Sequence, residues 1–386
     1  SFFLFLTSFI SIAQEYELKL TVVDLENNKP FKCQELLKNL QKKYSEDMRL
    51  TLLQARLFYY RQDYQAAISL LEQQQLKGEN REVDSYLINV YMAAEQPDNA
   101  LKLINGLLKA HPSNIALLNA MAAALIKLNK NEQAFQLTTY ILQKDPKHIA
   151  AQYNRASVLL AAKKPSLAKK VLVETINKNP KRIKHRMLLA QAEVALGDSV
   201  SAIHSLKELL IYDNQNKAAN ELLVVLLKMT GQYEQALVVI KKLLKIERLN
   251  PSYIQLKAEL FLAVGDRDKM QRQFNILKGL WYNDANALIT LSKLQQSARD
   301  LKGARASINR AKEISPTSQD IKYADAKLSI YEQDSKSTIK KINHLKGSNI
   351  DKSKVLLLEA DMLLSRKQAD KAQSSYLQAF KLDQKN

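Results

Sequence analysis

Apolar residues in this chain fall in helical stripes that come in pairs. In LLNAMAAALIKLNKNEQAFQLTTYILQ, which starts at Leu117, they recur at three- and four-residue spacings on both sides of a polar break around Asn129. That period predicts a helix, a tight turn and an antiparallel second helix. The layout then repeats. Ala122, Ala156 and Ala190 stand 34 residues apart, as do Ala134, Ala168 and Ala202, and Pro112, Pro146 and Pro180 close successive periods. Where two helix backbones approach closely a small side chain fits and a bulky one would wedge them apart. Proline ends the second helix because it lacks the N–H and drives its predecessor out of the helical region.

From Arg81 the register is unbroken. Units begin at Arg81, Ile115, Ile149, Ile183, Lys217, Pro251, Ala285, Gln319 and Ser353. Their eighth position reads Ile88, Ala122, Ala156, Ala190, Val224, Ala258, Ser292, Ala326 and Ala360, and their twentieth reads Ala100, Ala134, Ala168, Ala202, Ala236, Met270, Ala304, Thr338 and Ala372. One hairpin cannot bury its apolar face alone, so a fixed period of this size implies stacked hairpins. Two units depart from the rule. Met270 fills the small slot of the unit that lacks its closing proline and carries Trp281 and Tyr282, so its helix pair is expected to splay and kink the stack or to pack a different core. Thr338 and the polar turn EQDSKS predict the least stable unit.

The start of the chain reads differently. Residues 1–13, SFFLFLTSFISIA, are an uncharged apolar run with small residues Ser11 and Ala13 near its end. This fits the core of a secretory signal cleaved before Gln14, with its basic leading part absent. Residues 14–46 are expected to form a degenerate repeat or cap, with Cys33, Leu37 and Leu40 on an inner helix face. The stretch YELKLTVVDL in it reads as helix, although its alternation also suits a short strand. Residues 47–386 form the array, and Asp47 to Asn80 is its first clear unit. No polar capping helix follows Ala369 to Leu382, so the natural chain is expected to continue past Asn386.

These units resemble the tetratricopeptide repeat (TPR) family. GQYEQALVVIKKLL from Gly231 carries its glycine, aromatic, alanine and aliphatic series, and GARASINRAKEISP carries its alanines and proline at Ala304, Ala311 and Pro316. The resemblance implies an all-α fold, a right-handed α-α superhelix of about ten to eleven helix-turn-helix repeats. It further implies partner binding in a concave groove lined by the first helix of each unit, and no catalytic residue. More loosely, the units resemble the long exported bacterial TPR proteins of exopolysaccharide-export and exosortase systems.

Composition adds charge. Lys and Arg number 58 against 39 Asp and Glu, a formal net charge of +19, which favours anionic partners without selecting one. A single cysteine, Cys33, excludes an intramolecular disulfide. The five histidines, His111, His148, His185, His204 and His344, occupy different slots without HxxxH or HExxH spacing, and read as surface residues. No phosphate-cradling or nucleophile-elbow motif occurs, and the carboxylates read as single surface groups. The chain is therefore expected to be no enzyme and to need neither cofactor nor metal.

Two binding surfaces follow. The groove slots give Asn89, Asn119, Tyr153, Ser157, Met187, Gln191, Glu221, Gln255, Glu259, Lys293, Tyr323 and Lys327, a mixed amide, aromatic and charged lining suited to a peptide. Some TPR domains clamp a C-terminal carboxylate with Lys, Asn and Arg from three repeats. Here Asn154 and Lys184 match that pattern, but Asn119, Ala123 and Leu188 do not, so a terminal carboxylate would be poorly held. The second surface is a basic run, Lys163, Lys164, Lys169, Lys170, Lys178, Lys181, Arg182 and Lys184, placed mainly on turns and the outer face.

The expected function is a non-catalytic interaction scaffold of a bacterial periplasm or envelope. It would bind proteins or peptides along the groove, in support of exopolysaccharide export or protein sorting. One alternative is a binder of anionic polysaccharide through the basic face; another is an accessory arm of a larger enzyme or export protein. Nucleic acid is disfavoured, because no stacking aromatics interleave with the lysines. No transmembrane anchor is expected in the mature chain.

Overall fold

Local sequence dictates hairpins, and the computed structural model consists of them. It describes residues 30–43, 48–78, 80–348 and 350–383. Among these there are 21 α-helices and no strand. The signal segment and the YELKLTVVDL stretch lie outside the described residues.

In chain order the first helices are α1 (Pro30–Lys43), α2 (Met48–Tyr60), α3 (Tyr64–Gln75), α4 (Arg81–Ala93) and α5 (Pro97–Ala110). They are followed by α6 (Ile115–Lys127), α7 (Asn131–Lys144), α8 (Ile149–Ala161), α9 (Pro165–Lys178), α10 (Ile183–Ala195) and α11 (Ser199–Tyr212). Next come α12 (Lys217–Met229), α13 (Tyr233–Ile246), α14 (Pro251–Ala263), α15 (Arg267–Leu280) and α16 (Ala285–Ser297). The series closes with α17 (Leu301–Ile314), α18 (Gln319–Tyr331), α19 (Ser335–Lys346), α20 (Lys352–Ser365) and α21 (Ala369–Asp383). First helices start every 34 residues from Arg81 to Gln319, and α20 starts at Lys352, one residue before the Ser353 that the register predicts.

Three local devices produce this regularity. Asn80, Asn114, His148, Asn216, Asn250 and Asp284 each precede a first helix and accept its early amide hydrogens through the side chain. The small slots are shut: Ala122, Ala134, Ala156, Ala168, Ala190 and Ala202 are all 0 % exposed, which leaves no space for a larger group. The third device is a left-handed turn residue. Glu95, Asn129, Lys163, Gly197, Gly231, Gly265, Arg299, Gln333 and Lys367, again 34 apart, all have φ between 56° and 79°. The amide after each turn residue reaches back to close the first helix, as Lys130 N does to Leu125 O at 2.9 Å.

Only three of those nine residues are glycine, although L side chains enter this region at a cost. Arg299→Gly is expected to raise stability by about 0.5–1 kcal/mol, the strain relieved exceeding the entropy added to the unfolded chain. Gly265→Ala should lower it by a similar amount. Urea unfolding of the two variants checks the pair; a loss at Arg299→Gly would refute the strain.

The chain divides into two compact units, Ser1–Ala202 and Ile203–Asn386. In the first, one core gathers Ala67, Leu71, Leu87, Ile88, Ala100 and Ile104, and another gathers Ala156, Leu159, Ala168, Leu172, Leu188 and Ala192. In the second, Ile254, Ala258, Phe261, Met270, Phe274 and Leu277 share a core with Leu288, Leu291, Ala304 and Ile308.

Met270 packs into the core of its unit. It is 3 % exposed among Ala258, Phe261 and Phe274, while α14 and α15 keep the 13- and 14-residue lengths of their counterparts. Thr338 is equally buried, and its hydroxyl donates to Asp334 O at 2.7 Å, so the polar group in the small slot has a partner.

Candidate functional site

Inner-slot residues of consecutive first helices converge on one concavity in the first unit. A cavity of about 740 Å³ is lined by Asn89, Asn119 and Tyr153 of the predicted groove, together with Ser85, Ile88, Met92, Leu117, Ala120 and Ala123. His148, Asn154, Arg182, Lys184 and His185 complete the rim. The sequence period explains the convergence: residues 34 apart, such as Ser85, Asn119 and Tyr153, sit at the same angle on successive first helices.

Several of these groups are held from behind. Asn154 is buried and donates through Nδ2 to Asn119 O at 3.1 Å and Asn119 Oδ1 at 2.8 Å, which ties α8 to α6 and leaves this amide engaged within the protein. Ser157 Oγ donates to Tyr153 O at 3.0 Å. The Tyr153 ring meets His185 edge-on, with centroids 5.3 Å apart.

His185 corrects the expectation of surface histidines. It is 6 % exposed, and its Nε2 lies 3.2 Å from the Ile149 carbonyl, an acceptor that requires the proton on that nitrogen. Burial above all, with the nearby Arg182 charge adding to it, outweighs the Ile149 hydrogen bond and holds its pKa below the ordinary histidine value. Met187 on α10 is half-buried and Gln191 is exposed, and neither lines the cavity.

Three predicted groove residues of the second unit, Glu221, Gln255 and Glu259, are engaged within the chain. Glu221 accepts from the Tyr253 hydroxyl, whose pKa is pushed up to about 12 by burial and by that carboxylate. Glu259 pairs with Lys228 and accepts from Gln255 Nε2 at 3.0 Å. Lys293 is exposed, while Tyr323 and Lys327 are half-buried; burial first, and Asp361 after it, raises the Tyr323 pKa. A further concavity of about 590 Å³ between α20 and α21 is lined by Leu357, Leu364, Tyr376, Leu377 and Phe380, and no predicted site residue contributes to it.

The basic run is less uniform than its sequence. Lys163, Lys164, Lys170, Lys178, Lys181 and Lys184 are exposed. Lys169 instead reaches Glu193 Oε1 at 3.1 Å and Asp198 Oδ2 at 3.4 Å, and those carboxylates outweigh burial to raise its pKa. Arg182 and Lys184 belong to the cavity rim, which corrects their placement with the outer-face lysines.

Carboxylates were also misjudged from sequence as single surface groups. Asp325 on α18 is buried, and Arg305, Lys312 and Lys341 all bond to it, Lys312 at 2.6 Å and Lys341 at 2.9 Å. Arg305 also bridges to Glu332, and Lys341 donates to Ser329 Oγ at 2.5 Å. The cations come from the two helices that flank α18, Arg305 and Lys312 from α17 and Lys341 from α19, so no local spacing announces the network. Among the described residues, no group of His, Cys, Asp and Glu could hold a metal ion, and no helix is long and apolar enough to cross a membrane.

Stacked two-helix units with a site made of helix faces define a helical-repeat protein of the α-α superhelix class. Within that class the tetratricopeptide repeat model matches residues 59–125, 125–192 and 193–260, more than half of the chain, and the chain belongs to the TPR family. No curated protein matches it. Among solved structures, a thermophilic TPR protein from Thermus thermophilus is 19% identical, with 48% of this chain and 99% of that one covered, at a TM-score of 0.40. A tetratricopeptide repeat protein from Parabacteroides merdae is 16% identical over 63% of this chain and 96% of its own, at 0.41. PilF from Pseudomonas aeruginosa is 18% identical over 52% and 91%, at 0.45. At these identities the likeness is one of fold.

Proposed function

We propose that this chain is a non-catalytic interaction scaffold that binds partner proteins through peptide segments laid along its first helices, chiefly in the first unit. The supporting observation is the cavity that brings Asn89, Asn119 and Tyr153 together from three consecutive units. Amides beside an aromatic and small aliphatic groups can match the backbone and side chains of an extended segment, and several units together give affinity without a single deep pocket. Site-specific photocrosslinking from Asn89 in the native host tests this. A discrete partner adduct that disappears on Tyr153→Ala is expected; labelling that is diffuse and indifferent to Tyr153 would overturn the reading.

The setting we propose is a bacterial periplasm or envelope, where such a scaffold would support exopolysaccharide export or protein sorting. The apolar run at 1–13 and its small residues support export. N-terminal sequencing of the mature protein is expected to begin at Gln14, and a mature chain that retains Phe2 to Phe9 would sink the assignment.

A second reading is polyanion binding. It is supported by Lys163, Lys164, Lys170, Lys178 and Lys181, which stand exposed within one unit. Affinity for an anionic polysaccharide would then collapse between low and physiological salt and survive Tyr153→Ala, whereas groove binding would be lost on that substitution.

A further inference from the structure

We propose that the Tyr153 cavity receives an internal acidic side chain of an extended partner peptide, with Arg182 and Lys184 as its counter-charges. This rests on the groove reading above and adds the chemistry of the partner.

Charge complementarity carries the proposal. The cavity lining includes Arg182 and Lys184 and not one Asp or Glu. Two other cations of the same unit sit on carboxylates: Lys127 on Glu95, and Lys169 on Glu193 and Asp198. Arg182 does not. Its Nε is buried with no hydrogen-bond partner in the chain, and the residue lines the cavity. Arg182 also stands at the cap position of α10, where no side chain accepts the helix's first amides, while Asn80, Asn114 and His148 do so for α4, α6 and α8. A carboxylate beside Arg182 would therefore meet a guanidinium, an ammonium and the positive end of a helix together.

The remaining lining selects an internal residue over a chain terminus. Asn89 and Asn119 can donate to and accept from a continuing backbone, and Ile88 and Met92 offer apolar contact to the neighbouring side chains. A terminal carboxylate needs donors that converge on it. Asn154 is already committed to Asn119, and Ala123 and Leu188 carry no donor.

The test is binding of the full chain to an array of amidated peptides, each made in matched Glu and Gln forms, with affinities of the hits measured by fluorescence anisotropy. Glu forms are expected to bind about tenfold or more tightly than their Gln partners, as loss of a charge-assisted pair implies. Lys184→Gln, at an exposed position, and Arg182→Gln should each erase most of that preference. Equal affinity for Glu and Gln forms, with both weakened by Tyr153→Ala, would overturn this proposal and leave the groove reading standing. A preference that appears only with a free C-terminus would overturn it in favour of terminal recognition. Absence of binding by every peptide would overturn the groove reading itself.

Discussion

Asp325→Ala is expected to destabilise the second unit by about 3–5 kcal/mol, the cost of removing one partner from a buried ion network. The carboxylate is 7% exposed and receives Arg305, Lys312 and Lys341, while only Glu332 shares the load, through Arg305. Its removal leaves three cations around one site with a single carboxylate between them. Burial alone would raise the Asp325 pKa, but Lys312, Lys341 and Arg305 outweigh it and hold the carboxyl below its ordinary value. The sign for pH follows. A depressed folded pKa means stabilisation that is complete above the unfolded carboxyl value of about 3.9 and is lost as pH falls through the folded value. Guanidinium unfolding at neutral pH measures the first effect, and acid unfolding, flatter in Asp325→Ala than in the parent, measures the second. A loss below about 1 kcal/mol would mean that the cations simply turn to solvent, as surface pairs do.

Met270→Ala, which restores the alanine of the other units, should cost about 2–4 kcal/mol and not stabilise. The methionine is 3 % exposed between Ala258, Phe261 and Phe274, so truncation leaves a cavity that two bulky aromatics cannot readily close. The reverse change, Ala236→Met in the preceding unit, meets a slot that is 0 % exposed and should cost about 1–3 kcal/mol through overpacking. Midpoints of thermal unfolding decide both. A stabilised Met270→Ala would show that the slot tolerates only the small residue everywhere and that the methionine is strained.

The hairpins and their register were legible because close packing punishes volume at fixed positions, and Ala122, Ala156 and Ala190 record that directly. Asn119 and Tyr153 fall on one concavity for the same reason, since a constant period fixes a constant angle. What the sequence concealed depends on long-range partners or on backbone geometry that many residues tolerate. Six of the nine left-handed turn residues from Glu95 onward are polar side chains, among them Lys163 and Arg299, which look like any surface residue. Asp325 draws its cations from 13 to 20 residues away on other helices, so it reads as a lone acid. Arg182 was counted with the outer lysines because charge along the chain carries no direction, and only its place at the start of α10 puts it on the cavity.

Within each unit the strong helix pairings join elements that are adjacent in sequence or one apart. The strongly packed residues among those described are thus close along the chain, and the loop entropy to be overcome before those contacts form stays small. Folding of such a chain need not wait for its last residue. Each hairpin can dock on the one before it as it emerges, so that a newly made chain would assemble from its leading end, in step with its own synthesis.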